Sequence, residues 1–206
     1  MNNYLIFRTD RIGDFLLTAI LINSIKRNDT KAIITIVSSE KNYEYIKSFN
    51  SVDEVILLKN DLLSKIKLIK KLRVSYYNYL IEHDGKKRSS IISLFLKHGL
   101  KIKKNNNSRI SYIEAIKEII FKLNFNFIES DLNTLKYRDH NFFEDFNEDF
   151  ILLHFDEKWI YKDYISDYTN IEPLKDELIL FINLLLTISN KRLVITTGIR
   201  SPNILN

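Results

Sequence analysis

The stretch RTDRIGDFLLTAILINSIK, residues 8–26, carries the strongest fold signal in the chain. It follows a short apolar segment, Tyr4–Phe7, that is typical of a buried strand. From Asp14 to Arg27 apolar residues occur almost all round the predicted helix, as expected for a helix that packs on a sheet. Between strand and helix lies a polar turn whose single glycine is Gly13. The sequence therefore predicts a strand–turn–helix unit at the N-terminus.

Short apolar segments continue to alternate with longer helical patterns along the chain. This order predicts a parallel sheet whose crossovers are right-handed. The predicted strands are Tyr4–Phe7, Ala32–Val37, Val55–Leu58 and Tyr76–Ile81, and the predicted helices are Asp14–Arg27, Glu40–Phe49, Asp61–Arg73, Ser89–Lys97 and Tyr112–Leu123.

Domain boundaries follow from a change in pattern after the last of these helices. Residues 1–128 form the predicted N-terminal Rossmann-like domain, and residues 129–149 are acidic, aromatic and aperiodic, as expected of an interdomain segment. Residues 150–206 restart the pattern with a strand at Phe150–Phe155, a helix introduced by Pro173, and a strand at Leu193–Thr197. Two strands and one helix make a poor independent core. We therefore predict an α/β chain whose second Rossmann-like domain is incomplete, as in a fragment, a truncated gene product or a domain completed by a partner.

Composition limits the kinds of site that the chain can build. The sequence has no cysteine, and its four histidines show no metal-ligand spacing, so we expect no disulfide, no thiol nucleophile and no zinc site. No apolar run approaches the roughly 18 residues of a membrane span. The N-terminus lacks the basic start and cleavage site of a signal peptide, so we expect a cytoplasmic protein.

Charge is distributed unevenly along the chain. Residues 59–104 contain 13 Lys and Arg against 3 Asp and Glu, whereas residues 129–178 contain 5 against 14. One interpretation is a set of solvated helices. The other is a basic face for an anionic partner such as a phosphorylated sugar or an anionic lipid. RNP-type aromatic motifs and a helix-turn-helix pattern are absent, so we expect no nucleic acid partner.

The turn before the first helix is poorly suited to a phosphate. Nucleotide-binding turns use several glycines so that backbone N–H groups can meet phosphate, but here only Gly13 fits that pattern. A carboxylate at Asp14 would repel phosphate, and it suits a hydroxyl that must lose a proton. The helix dipole and Arg11 favour the ionised carboxylate, and Gly13 permits a substrate to approach the backbone. The alternative is that Asp14 only complements the charge of the helix start.

Three motifs in order resemble the ADP-heptose:lipopolysaccharide heptosyltransferases, glycosyltransferase family nine. The first is Arg8 followed by Ile12-Gly13-Asp14, an apolar pair and Thr18. The second is AIITIVSSEKNYEYIKSFNSVDEVILL at 32–58, and the third is YLIEHDGKKRSSIISLFLKHG at 79–99. The resemblance is specific over residues 1–110 and loose over 150–198.

The resemblance implies a GT-B enzyme with two Rossmann-like domains, the acceptor on the first and the nucleotide-sugar on the second. Asp14 would be the general base that takes a proton from an acceptor hydroxyl, with inversion at the anomeric carbon and release of ADP. Such a base contributes about 10²–10⁴-fold. The implied partners are an ADP-heptose-like donor and a lipid-linked or lipopolysaccharide core acceptor. We expect no cofactor, and the family generally needs no metal.

The resemblance also assigns binding residues. Arg11, Gly13 and Thr18 would contact the acceptor, together with the loop formed by Asp84, Gly85, Lys86, Lys87 and Arg88. Cations in that loop suit a carboxylate or phosphate on the acceptor, unless they form only a solvated turn. Lys158 in HFDEKW corresponds to a diphosphate-contacting lysine, or else is an exposed lysine beside Trp159.

One feature of the family is missing from the sequence. No D-x-G-x-x-H loop, which binds the nucleotide diphosphate in the family, occurs in these 206 residues. The alternatives are therefore a non-catalytic acceptor-binding or scaffold domain, and an unrelated nucleotide-binding module, which the lack of a glycine-rich loop argues against. The basic helix Asp61–Arg73 would hold an enzyme near anionic lipid on the inner face of the inner membrane, or is simply solvated.

Overall fold

The computed structural model describes residues 1–105, 109–138, 149–154 and 175–196. The chain divides into two compact units, Met1–Asp139 and His140–Asn206. Lys158 lies outside the described residues. The first unit contains strands β1 (Asn3–Arg8), β2 (Ile33–Ser38), β3 (Glu54–Leu57), β4 (Tyr76–Glu82) and β5 (Lys97–Lys103), and helices α1 (Ile12–Asn28), α2 (Tyr43–Lys47), α3 (Leu62–Leu72), α4 (Lys87–Ser93) and α5 (Tyr112–Lys122).

The five strands of the first unit form one parallel sheet in the order β3-β2-β1-β4-β5. The α/β class, the parallel sheet and the four predicted strands are confirmed. The chain runs outward from β1 to β3 and then crosses to the other side of β1, so the order reverses between β1 and β4. Ligands of open α/β sheets bind at the carboxyl ends of the strands beside such a reversal.

Helices cover both faces of this sheet. On one face, Tyr4 and Ile6 of β1 belong to a buried core with residues of α1, α2 and α5. On the other face, Leu5 and Phe7 pack with residues of α3 and α4. Helix α1 buries apolar residues over most of its circumference, which confirms the packing predicted from its sequence.

The region from 87 to 103 differs from the prediction. The predicted helix Ser89–Lys97 is wrong in its bounds, because α4 spans Lys87–Ser93 and a fifth strand begins at Lys97. This edge strand has only one buried residue, Ile102, so it lacks the apolar signal of the central strands. Gly99 allows β5 to approach β4, since a Cβ there would lie 2.9 Å from the main-chain oxygen of Asn78.

Residues 129–138 belong to the first unit and pack against helix α1 and the segment after α2. A 3-10 helix, Glu129–Leu132, carries the buried Asp131, whose carboxylate lies 2.9 Å from the guanidinium of Arg27 in α1. Tyr137 forms an isolated antiparallel bridge with Phe49. This part of the predicted interdomain segment therefore contacts the N-terminal sheet unit, while the domain bounds 1–128, 129–149 and 150–206 stay predictions.

The described part of the second unit contains two parallel strands, β6 (Phe150–His154) and β7 (Arg192–Thr196), and helix α6 (Lys175–Ser189). These elements agree with the two strands and one helix expected there, although Pro173 lies outside the described residues. In the parts of the chain that are described, no helix combines the length and apolarity that a membrane span requires.

Candidate active site

A cavity of about 510 Å³ lies at the carboxyl ends of the first unit's strands. Its walls come from segments that follow β1, β2, β3 and β4, which is where the reversal in strand order leads one to look for a ligand. Charged and polar side chains dominate the lining, which consists of Thr9, Asp10, Arg11, Asp14, Ser39, Glu40, Lys41, Leu58, Asn60, Asp84, Lys86 and Arg88.

Asp14 lies in the first turn of α1, which begins at Ile12, two residues earlier than predicted. Its carboxylate accepts a hydrogen bond from the main-chain N–H of Arg11 at 3.2 Å, and 38% of its side chain remains exposed. The guanidinium of Arg8 lies 3.6 Å from this carboxylate, and the influence expected of the Arg11 side chain stays a prediction. A carboxylate at this place is held by the backbone and still reaches the cavity.

Arg8 is the fully buried charge beneath the cavity. Its guanidinium donates to the main-chain oxygen of His83 at 3.0 Å and to the main-chain oxygen of Asp14. It also lies 3.1 Å from a carboxylate oxygen of Asp10 and 5.4 Å from the ring centre of Tyr112. Arg8 therefore links the end of β1 to the start of α1 and to the end of β4.

Asp10 places a second carboxyl group beside Asp14 in the cavity wall. Burial raises its pKa, Arg8 opposes that shift, and the negative charge of Asp14 adds to it. Asp10 is the closer of the two ion-pair partners of Arg8, and its raised pKa means that it binds a proton at a higher pH than an ordinary aspartate does.

His83 and Thr18 form a buried pair behind Arg8. The imidazole Nδ1 lies 3.1 Å from the Thr18 hydroxyl, and Nε2 is buried without a hydrogen-bond partner among the described residues. Burial lowers the pKa of His83 well below its usual value, and the charges of Arg8 and Lys104 add to the shift, so the imidazole is neutral near pH 7. Thr18 is fully buried, so it contacts His83 and not the cavity, contrary to its predicted place in the acceptor site.

Lys104 and Tyr112 extend this network on the side of β5. The ammonium of Lys104 lies 4.2 Å from the centre of the Tyr112 ring. Burial and the charge of Arg8 lower the pKa of Lys104, and burial raises the pKa of Tyr112 to about 12. The negative charges of Asp10 and Asp14 act to raise the pKa of both Lys104 and Tyr112. The charged groups at this edge of the sheet therefore interact with each other.

The loop after β4 is built around Asp84. This buried carboxylate accepts hydrogen bonds from the hydroxyls of Thr9 at 2.5 Å and Ser89 at 2.7 Å, and from the main-chain N–H of Lys86 at 3.1 Å. Gly85 has a φ of 61°, a conformation that glycine adopts without strain. Asp84 lines the cavity, but its carboxylate oxygens already accept the hydrogen bonds that hold the loop in place.

The three cations of this loop have different surroundings. Arg88 donates to the main-chain oxygen of Thr9 at 2.7 Å and to the side-chain oxygen of Asn60 at 3.0 Å, which ties α4 to the segments after β1 and β3. Lys86 is exposed at the cavity, whereas Lys87 does not line it. Lys86 is therefore the cation of the predicted loop with the freedom to meet a ligand.

Five of the predicted site residues share the cavity: Arg11, Asp14, Asp84, Lys86 and Arg88. Gly13, Gly85 and Lys87 lie beside it without lining it. A Cβ added at Gly13 would meet nothing within 4 Å, so the backbone there is open to approach.

Several members of the site were not predicted from the sequence, including Asp10, Asn60, His83 and Lys104. Each lies within three residues after the end of an observed strand, and this position was the signal available in the sequence.

The arrangement suits proton abstraction from an anionic ligand. Asp14 offers a carboxylate at the cavity, and Arg11, Lys41 and Lys86 put exposed cations on its wall. Within the described ranges, no group of three or more His, Asp or Glu side chains is placed to hold a metal ion.

Comparison with solved structures identifies the same fold in glycosyltransferases. The structure of E. coli heptosyltransferase WaaC with ADP superposes with a TM-score of 0.70 at 17% identity, covering 98% of this chain and 68% of that one. WaaC with ADP-2-deoxy-2-fluoro heptose gives 0.70 at 16% identity, covering 98% and 70%. A glycosyl transferase family 9 structure from Veillonella parvula gives 0.64 at 11% identity, covering 97% and 70%.

No family model and no curated protein matches the sequence. The similarity to the solved structures confirms the resemblance to glycosyltransferase family nine at the level of fold. The chain has the α/β fold of these GT-B-like glycosyltransferases.

Proposed function

We propose that this chain carries the acceptor-binding part of a glycosyltransferase of the heptosyltransferase type. The donor would be an ADP-heptose-like nucleotide-sugar, and the acceptor a lipid-linked or lipopolysaccharide core glycan. The proposal is supported by the shared fold and by one local observation above all. A partly exposed carboxylate, Asp14, lies in a cavity whose wall also carries exposed cations.

In this reaction Asp14 is the general base. Its carboxylate takes the proton of an acceptor hydroxyl while that oxygen forms a bond to the anomeric carbon of the donor. The bond from the anomeric carbon to the diphosphate breaks on the opposite side, so ADP leaves and the configuration inverts. Transfer to a positioned base contributes about 10²–10⁴-fold to such a step.

Arg8 has a positioning role in this proposal. It is bound to the main-chain oxygen of Asp14 and therefore controls where the first turn of α1 begins. The main-chain N–H of Arg11 orients the carboxylate itself. Catalysis depends on such orientation, because small displacements of a reacting group lower the rate steeply.

The cations of the wall would recognise the acceptor. Lys86 and Lys41 are exposed, and no described carboxylate lies within ion-pairing distance of either. A phosphate or carboxylate on the acceptor would give them a charge-assisted partner. A lipid-linked acceptor would bring the protein to the cytoplasmic face of the inner membrane, and Lys158 stays a predicted contact of the donor.

The second candidate is a non-catalytic acceptor-binding or scaffold domain. It is supported by the cavity itself, whose lining residues all belong to the first unit. Both candidates predict binding of the acceptor to the cavity, but only the enzyme predicts release of ADP.

One pair of assays separates the two candidates. Binding of a truncated lipopolysaccharide acceptor is measured by calorimetry, and release of ADP from ADP-heptose is measured with and without that acceptor. Acceptor-dependent ADP release supports the enzyme. Acceptor binding without ADP release supports the scaffold, and failure to bind the acceptor contradicts both.

A further inference from the structure

Helices α3 and α4 and the two residues after α4 expose large apolar side chains to solvent. Leu62, Leu63 and Leu94 are 70%, 71% and 74% exposed. Several exposed apolar residues on one side of a fold mark an interaction site more often than scattered single residues do. The residues of this surface, named here the α3–α4 face, are Leu62, Leu63, Ile66, Ile91, Leu94 and Phe95.

These side chains belong to the same side of the sheet. The inner residues of both helices, such as Leu68 of α3 and Ile92 of α4, share one buried core with Leu5 and Phe7 of β1. The starts of the two helices are also joined, because Arg88 donates to Asn60, two residues before Leu62. Exposed apolar residues of α3 and α4 therefore project from one layer of the fold.

The helices of this layer are basic. Residues 59–73 and 86–93 contain nine Lys and Arg against one acidic residue, Asp61. The surface formed by α3 and α4 therefore carries an excess of positive charge.

The outer side of α3 carries cations beyond its apolar first turns. Lys67 and Lys70 are exposed, and no carboxylate in the described part of the chain pairs with either, whereas Lys71 binds Glu54 at 2.8 Å. A helix with apolar residues and unpaired lysines on its outer side has the character of an interfacial membrane helix.

We propose that the α3–α4 face binds the surface of an anionic phospholipid bilayer, with its leucines among the headgroups and its lysines on lipid phosphates. Charge complementarity favours this occupant, and the exposed leucines distinguish it from a purely electrostatic partner. The inference rests on the proposed function, because a lipid-linked acceptor would be located at a membrane.

The position of the face relative to the cavity agrees with this occupant. Asn60 lines the cavity and directly precedes the N-cap of α3, and Leu62 and Leu63 follow in the first turn. Lys86 lines the same cavity and is the N-cap of α4. A bilayer on the α3–α4 face would therefore lie beside the mouth of the cavity, where the glycan of a lipid-linked acceptor could enter.

The test is co-sedimentation of the full chain with vesicles of phosphatidylcholine alone or mixed with phosphatidylglycerol, with no sugar substrate present. We expect binding only to the anionic vesicles, weakened by salt. Leu62→Asn with Leu63→Asn should weaken binding on the order of tenfold. Lys67→Gln with Lys70→Gln should weaken it about 25-fold, because each cation contributes about fivefold.

A matched control lies on the opposite side of the sheet. Phe121 of α5 is 77% exposed and precedes the exposed Lys122. Phe121→Asn with Lys122→Gln should leave vesicle binding unchanged, and circular dichroism should show that all three double variants are folded.

Three outcomes would overturn the inference: no binding to anionic vesicles, loss with the lysine pair but not with the leucine pair, or equal loss in the control. A change of oligomeric state in the leucine variant without vesicle binding would assign the face to a second copy of the chain. Because the assay contains no sugar, a failure here leaves the proposed transferase reaction to be tested by ADP release.

Discussion

The buried guanidinium of Arg8 lies 3.1 Å from a carboxylate oxygen of Asp10 at the end of β1. The same guanidinium donates to the main-chain oxygens of Asp14 and His83. One buried side chain thus holds together the two carboxylates and the two segments that form the floor of the cavity.

Removing Arg8 should therefore destabilise the first unit strongly. Arg8→Met leaves the Asp10 carboxylate, which is only 14% exposed, without its cation, and breaking a largely buried pair in this way costs about 3–5 kcal/mol. Adding Asp10→Asn should restore part of the loss, since the uncompensated charge is then gone. The free energy of unfolding in urea measures both effects.

The exposed pair of Lys71 and Glu54 is the control for this cycle. Its atoms are 2.8 Å apart, but both side chains are about half exposed, so Lys71→Met should cost less than about 1 kcal/mol. Equal costs for the Arg8 and Lys71 variants would contradict the structural role given to Arg8.

Adjacent lysines of the loop after β4 should differ in their effect on acceptor binding. Lys86 lines the cavity and Lys87 does not. Lys86→Gln should weaken binding of a phosphate- or carboxylate-bearing acceptor about tenfold, because a charge-assisted contact is lost. Lys87→Gln, which removes the same charge one residue away, should change the affinity little. Calorimetry measures both, and equal losses would indicate only a general electrostatic effect.

The buried His83 should make the chain less stable in mild acid. Its pKa is lowered in the native state, so below about pH 6.5 the unfolded chain takes up a proton that the native chain does not. The stability contributed by the neutral imidazole is present above that pH. It is lost, at up to about 1.4 kcal/mol per pH unit, as the pH falls toward the native value.

His83→Gln should flatten this dependence between about pH 7 and 5. The control is His98→Gln, since His98 is only part-buried and belongs to the edge strand. Urea unfolding across this range gives the slopes, and identical slopes for wild type and His83→Gln would contradict the account.

Much of the fold is predictable from short-range patterns. The apolar segments at Tyr4–Phe7 and Ala32–Val37 are buried strands, and the nearly uniform apolar character of residues 14–27 indicates a helix pressed on a sheet. Strand β5 was not predicted because Lys97–Lys103 is a basic edge strand without an apolar pattern. The end of α4 was placed too late because the mostly apolar segment from Ile91 to Leu96 continues past the helix.

The site is less predictable, because its contacts join segments far apart in sequence. Asp14 could be singled out from the motif around Gly13, and it does reach the cavity. The contacts of Arg8 with His83 and of Thr18 with His83 span 75 and 65 residues. Only the pairing of β1 with β4 brings these residues together, so the burial of Thr18 and the role of Asp10 had no local signal.

The central claim is that Asp14 is the base of a glycosyl transfer. The most direct measurement is acceptor-dependent release of ADP from ADP-heptose by wild type and by Asp14→Asn, with acceptor affinity measured in parallel. We expect the substitution to lower ADP release by about 10²–10⁴-fold while acceptor affinity and folding are retained. Release of ADP at the wild-type rate by Asp14→Asn would contradict the claim.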